Sequence, residues 1–165
     1  DTGGRGIIAA SEDTGAFTDY IFGDGMISEV TSGAIADGSW GAKPSPSAEL
    51  QAAWEVVATA GGVDGKGVYS GESYDAMALI ILAAQAAGST DRAAIQAEVM
   101  NVANAPGNKC HAGKLGECLK MISGGLPVDY VGATGVELDA VGTPNGSYAE
   151  QEVIAGAFTT VKVHN

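Results

Sequence analysis

Residues 71–91 constrain the fold more than any other part of the sequence. Gly71-Glu72-Ser73-Tyr74-Asp75-Ala76-Met77 runs into Ala78-Leu79-Ile80-Ile81-Leu82-Ala83-Ala84-Gln85-Ala86-Ala87, stops at Gly88, and is followed at once by a new helix start in Ser89-Thr90-Asp91. A helix from about Ser73 to Ala87 that is apolar nearly all round has no face to give to water, so it must pack on several sides. The apolar run from Ala76 to Ala84 is far short of the roughly 20 residues a membrane span takes. The stretch therefore belongs inside a larger α/β body. Its polar front end, Tyr74-Asp75, reads as structural: Tyr74 by core packing, Asp75 by its place in the first helical turn.

Composition narrows the function classes. A length of 165 residues suffices to bury one sizeable core but not two ordinary ones. A hydrophobic share of 45% and a charged share of 17% are those of a globular protein, not a disordered one. The 25 glycines are scattered, many in Gly-Gly, Asp-Gly and Asn-Gly pairs, which mark many short connections rather than a flexible linker. A formal charge of −12, with 8 basic residues spread along the sequence, argues against nucleic acid, because phosphate binding needs clustered Lys and Arg. No signal peptide is present, and the opening Asp1-Thr2-Gly3-Gly4 leads us to expect that the natural start has been removed.

The two cysteines read as one local loop, Cys110-His-Ala-Gly-Lys-Leu-Gly-Glu-Cys118. A disulfide across it is sterically reasonable and implies an oxidising compartment. Free buried thiols are the alternative. A zinc site using His111 lacks further ligands, since four at characteristic spacing are required and no other Cys or His lies nearby.

Short strands and helices alternate along the sequence. Gly6 to Thr14 reads as a helix ending at Gly15, Tyr20-Ile21-Phe22 as a strand, Gly23-Asp24-Gly25 as a turn, and Met26 to Val30 as a short helix. Ile35 to Ala42 is irregular or extended. Ser45 or Ser47 caps a helix carrying Leu50, Ala53, Trp54, Val57 and Ala60 at helical spacing. Thr90 caps the next, with Ile95, Val99 and Val102 on one face. Leu115, Cys118, Leu119 and Ile122 mark another, closed by Gly124-Gly125. Asp129-Tyr130-Val131, Val136-Glu137-Leu138 and the alternating stretch from Glu152 to Val163 read as β.

Three of these segments, in this order, carry a resemblance. They are Ser73-Tyr74-Asp75-Ala76 opening the apolar helix, Ala86-Ala87-Gly88-Ser89-Thr90-Asp91 before the next one, and Gly124-Gly125-Leu126-Pro127-Val128-Asp129-Tyr130-Val131-Gly132-Ala133-Thr134-Gly135. Together with Gly3-Gly4-Arg5-Gly6-Ile7-Ile8 and Tyr20-Ile21-Phe22-Gly23-Asp24-Gly25-Met26 upstream, the sequence resembles the C-terminal portion of type I periplasmic solute-binding proteins of ABC transporters, the branched-chain amino acid (Leu/Ile/Val-binding) class. The match runs over essentially all 165 residues but less than half of a typical family member. It implies an α/β fold of two Rossmann-like lobes, joined by three crossovers and closing on a ligand between them, in keeping with ligand sites beyond the carboxyl ends of open α/β sheets. On that resemblance, residues 1–67 are part of the second lobe. Residues 68–125 are the crossover and helices of the first, and residues 126–165 are terminal strands returning to the second.

The resemblance further implies a periplasmic or secreted protein, an amino-acid-like small-molecule ligand, a membrane permease as partner, a missing N-terminal half of the same protein, and no cofactor or metal. Asp24, between two glycines at a strand end, matches a position that is often acidic and pairs with a ligand ammonium; the plain reading is a Gly-Asp-Gly turn. Tyr69 matches an aromatic position against the ligand side chain at the hinge, with lobe-to-lobe packing as its alternative. Glu72 adds a polar ligand contact or favours the helix start. Gly3-Gly4 lets backbone approach the cleft, with Thr2 at its edge, unless the pair is only a turn.

Enzyme readings find little support. Gly67-Val68-Tyr69-Ser70-Gly71 has its serine displaced by one from a nucleophile elbow. His111 and His164 are the only imidazoles, and neither a phosphate loop nor a dinucleotide fingerprint occurs. A ligand-binding sensor domain of the same fold is the alternative to a transport component.

Overall fold

The computed structural model describes residues 2–27 and 37–164. The protein divides into two compact units, Asp1–Ser45 with Ser147–Asn165, and Pro46–Gly146.

The first unit is built on a sheet ordered β1-β2-β5-β6. Helix α1 (Thr2–Thr14) ends where Gly15 N–H donates to the Glu12 carbonyl at 3.1 Å. It leads through a short loop to β1 (Ile21–Phe22) and then α2 (Asp24–Ile27). Strand β2 (Trp40–Pro44) runs parallel to β1. Buried Ser39 extends that pairing, because its Oγ accepts the Tyr20 N–H at 3.0 Å. The hairpin β5 (Tyr148–Ile154) and β6 (Ala157–His164) adds two antiparallel strands, with a register shift at Glu150/Gln151. Side chains alternate between the two faces of a sheet. Phe22, Gly41 and Gln151 form a buried row of register partners, and Ile8, Ile27 and Val153 complete the core on that side. The neighbouring row stays open, with Ile21 74% and Trp40 45% exposed.

The second unit is helical around a two-stranded parallel sheet. Ser47 caps α3 (Ala48–Ala60), its Oγ accepting the Leu50 N–H at 3.3 Å. Helix α4 (Ser70–Ala87) closes on Gly88, whose left-handed backbone is the usual helix stop. Helix α5 (Arg92–Ala103) is capped by Asp91, which accepts from the Ala93 and Ala94 N–H groups. Strand β3 (Asn108–His111), α6 (Leu115–Ser123) and β4 (Val128–Gly132) make a βαβ crossover with β3 and β4 parallel. Cys110 on β3 and Cys118 on α6 form a disulfide, Cα–Cα 6.0 Å, with both residues fully buried. Leu82, Ala83, Val102, Ala103, Val128 and Tyr130 pack around it.

One carboxylate ties this unit together. Asp75, the sixth residue of α4 and 3% exposed, accepts four hydrogen bonds. Its Oδ1 takes the Tyr130 hydroxyl and the Ala133 N–H, both at 2.8 Å. Its Oδ2 takes the Thr134 N–H at 2.9 Å and the Thr134 hydroxyl at 2.7 Å. A buried carboxylate is tolerated only when its lone pairs are filled in this way. Gly132 makes room for it: φ is +63°, and a Cβ there would run into the Asp75 carboxylate. Burial, reinforced by the Asp75 charge and hydrogen bond, holds the Tyr130 hydroxyl protonated far above its ordinary range. Next door, Asp129 is 2% exposed and pairs with Lys109 at 2.7 Å.

Several expectations are corrected. Asp75 lies one turn deeper in α4 than supposed, because the helix starts at Ser70 rather than Ser73. Asp91, not Thr90, is the cap of α5: its carboxylate reaches two N–H groups. The cysteine segment is not one loop, since Cys110 sits on a strand. Val136-Glu137-Leu138 is not a strand; among the described residues it makes only a Leu138–Pro144 bridge. The Gly135 and Val136 N–H groups both donate to the Val131 carbonyl and turn the backbone back. Asn104 then satisfies both Leu138 backbone groups, accepting at 2.8 Å and donating at 2.9 Å. The final β stretch is a hairpin, turning at Ala155-Gly156. Within the second unit, Trp54 of α3 packs on Tyr74 of α4 at 5.0 Å and beside Ala133. Ser28–Val30 and Ile35–Ala36 lie outside the described residues.

Stability should follow the Asp75 network. Asp75→Ala strands several buried donors and should cost about 3–5 kcal/mol, against about 1–2 kcal/mol for Tyr130→Phe, read from urea unfolding. The folded pKa of Tyr130 lies above its unfolded value of about 10, so its stabilising contribution is full below that pH and is lost as pH rises past it. Stability should therefore fall more steeply above a pH of about 10 in the parent than in Tyr130→Phe, and equal slopes would contradict the network.

Candidate functional site

The expected ligand residues fall into two groups. Thr2, Gly3 and Gly4 occupy the first turn of α1, and Asp24 is the first residue of α2, all in the first unit. Tyr69 and Glu72 stand at the start of α4 in the second.

In the first unit, the starts of α1 and α2 touch. A Cβ on Gly4 would meet the Met26 Sδ at 2.5 Å, so the flexible end of Met26 lies against the bare α-carbon of Gly4. Asp24 is not the middle of a plain turn, as the sequence suggested. It opens α2, half-buried, with Oδ1 accepting the Gly25 N–H at 2.7 Å. A carboxylate in a first helical turn is favoured by the helix dipole. Beside it lies an open apolar hollow of about 330 Å³, lined by Ile7, Phe17, Ile21, Phe22 and Met26, with Asp19 at its polar edge. Sequence reasoning missed this hollow, because its lining comes from three separate elements.

In the second unit, Tyr69 holds a left-handed backbone, φ 61° and ψ 14°, immediately before α4, and its side chain is 40% exposed. A bulky residue in that region costs about 1–2 kcal/mol. Such strain gathers at functional sites, where surrounding structure maintains it. Glu72 follows at the third position of α4, where its charge suits the helix start. Nothing in the sequence signalled the conformation of Tyr69.

Cys110 and Cys118 are consumed by their disulfide. Among the described residues, no group of three or more His, Cys, Asp or Glu is placed to hold a metal ion, and no helix is long and apolar enough to cross a membrane.

The fold has a counterpart among solved structures. A leucine-binding protein, LivK, from Thermotoga maritima superposes with a TM-score of 0.60 at 20% sequence identity, over 98% of this chain and 42% of that one. The α/β fold matches part of that of a type I periplasmic binding protein. The neighbour is a binding protein rather than an enzyme, and the 165 residues span less than half its length. No family model and no curated protein matches the sequence.

The strain at Tyr69 yields a stability test. Asn accepts the left-handed region and a β-branched residue does not. Tyr69→Val should therefore be less stable than Tyr69→Asn by about 1–2 kcal/mol in thermal or urea unfolding. Equal stabilities would show that the backbone there is relaxed.

Proposed function

We propose that this chain is the C-terminal portion of an extracytoplasmic solute-binding protein of the branched-chain amino acid class. Its whole form captures an amino acid, or a similar small polar amine or amide, between two lobes and delivers it to the membrane permease of an ABC transporter. The observation that carries this reading is the superposition on a leucine-binding protein over nearly all of this protein and under half of its counterpart. The first unit then belongs to the second lobe and the second unit to the first lobe. The buried disulfide suits the oxidising periplasm.

Exposed apolar surface supports the missing half. On α4, Met77 is 58%, Ile80 49% and Ile81 37% exposed, although the helix is apolar nearly all round. In the first unit, Ile21 and Trp40 stay open on one face of the sheet. These are surfaces for the N-terminal half to bury.

The role of each site residue follows. Asp24 pairs with the ligand ammonium, and Gly3 and Gly4 let backbone close on the ligand, with Thr2 at the edge. Tyr69 packs on the ligand side chain from the other lobe, and Glu72 adds a polar contact. The protein binds and releases; it does not transform its ligand.

Two measurements test this. A pocket draws affinity from burying most of its ligand, so calorimetry of the 165-residue protein against a panel of amino acids should show weak binding or none, while the full-length protein binds. Micromolar affinity in the short form would refute the divided cleft. In the full-length protein, Asp24→Ala should abolish binding of amine ligands with an unchanged melting curve. Unaltered affinity would remove Asp24 from the site.

A further inference from the structure

Asn145-Gly146 is the last pair of residues in the second unit, at the point where the backbone passes to the first. It is the only Asn-Gly in the sequence, as the other asparagines precede Val102, Ala105 and Lys109 or stand last at Asn165. Both residues are exposed. An added Cβ on Gly146 would meet nothing within 4 Å. The Asn145 N–H is fixed to the Glu137 carbonyl at 2.8 Å. Among the described residues, neither the Asn145 carboxamide nor the Gly146 N–H has a hydrogen-bond partner.

From this combination we infer that Asn145 is a site of spontaneous deamidation in the folded protein, one that remodels the passage between the two units. The reacting groups are the Gly146 nitrogen and the Asn145 Cγ. The nitrogen attacks Cγ, a new bond between them closes a five-membered succinimide, and the bond from Cγ to the amide Nδ2 breaks. Ammonia departs, carrying the proton from the Gly146 nitrogen. Water then opens the ring. Attack at Cγ gives aspartate. Attack at the backbone carbonyl of residue 145 gives isoaspartate, in which the backbone runs on through Cβ and Cγ. A following glycine leaves the nitrogen open to approach, where any side group would crowd it. Exposure admits the water, and the absence of a partner on either reacting group means that no bond must first be broken.

The site lies between two anchored points. Upstream is the bond from Asn145 N–H to the Glu137 carbonyl; downstream, the Ser147 carbonyl accepts the Ser45 N–H at 3.0 Å. Isoaspartate inserts an extra backbone atom between them and adds a negative charge. The register of Ser147 against Ser45 cannot be kept without distortion, so the passage loosens as the protein ages.

The test compares the folded protein with the same protein in denaturant, both held at mildly alkaline pH. Peptide mass spectrometry and enzymatic isoaspartate methylation follow each asparagine. The folded protein should convert at Asn145 within a few-fold of the denatured rate, with Asn101, Asn104 and Asn108 unchanged over the same time. Gly146→Ala should slow conversion by an order of magnitude or more, and Asn145→Gln should remove the signal while the fold is kept. An Asn145 amide that survives in the folded protein while the denatured one converts would overturn the inference. So would equal conversion at the other asparagines. In aged protein that has converted, hydrogen exchange should quicken at Ser45 and around Tyr148 relative to Asn145→Gln; unchanged exchange would refute the remodelling.

Discussion

The second unit depends on a carboxylate that has been taken out of water. Asp75 reaches from α4 to the end of β4 and the turn beyond it, and its four donors come from Tyr130, Ala133 and Thr134. The helix is apolar on nearly every side and would otherwise pack by shape alone, which permits sliding and rotation. A charged group with four directional partners removes that freedom. Tyr130, at 1% exposure, then sits in the same core as the disulfide, with Cys110 as its partner on the adjacent strand. Gly132 belongs to the same arrangement, because the carboxylate stands where its side chain would be.

Much of the fold was legible in the sequence, for identifiable reasons. The helices announced themselves by apolar spacing and by stops such as Gly15, Gly61 and Gly88. Strand β4 reads plainly because Val128-Asp129-Tyr130-Val131 is almost wholly buried and rich in β-formers. Strand β3 does not: Asn-Lys-Cys-His has no alternation, and it is a strand only because it pairs with β4. Val136-Glu137-Leu138 has the composition of a strand, yet Asn104, 34 residues away, takes up the Leu138 backbone groups. No local pattern contains that information. The role of Asp75 was half legible; its burial and partners depend on residues more than fifty positions downstream.

The candidate site was legible as residue types and less so as geometry. Asp24 follows a strand, as its sequence context suggests, but it begins a helix and already binds the next N–H. The contact of Gly4 with Met26 and the left-handed backbone of Tyr69 are products of tertiary packing. Of the six residues, Thr2, Gly3, Gly4 and Asp24 belong to the first unit, and Tyr69 and Glu72 to the second.

The register shift in the β5–β6 hairpin has a consequence for how copies of this protein meet one another. Strand β6 is the longest edge of its sheet, and long, straight, exposed edges recruit strands from neighbouring molecules. The irregularity at Glu150/Gln151 bends this edge, and Lys162 places a cation along it. At the opposite border, β1 has only two residues, too few to template a partner. The sheet is thus guarded at both borders against growing into a continuous ribbon, while its row at Ile21 and Trp40 lies open on one face.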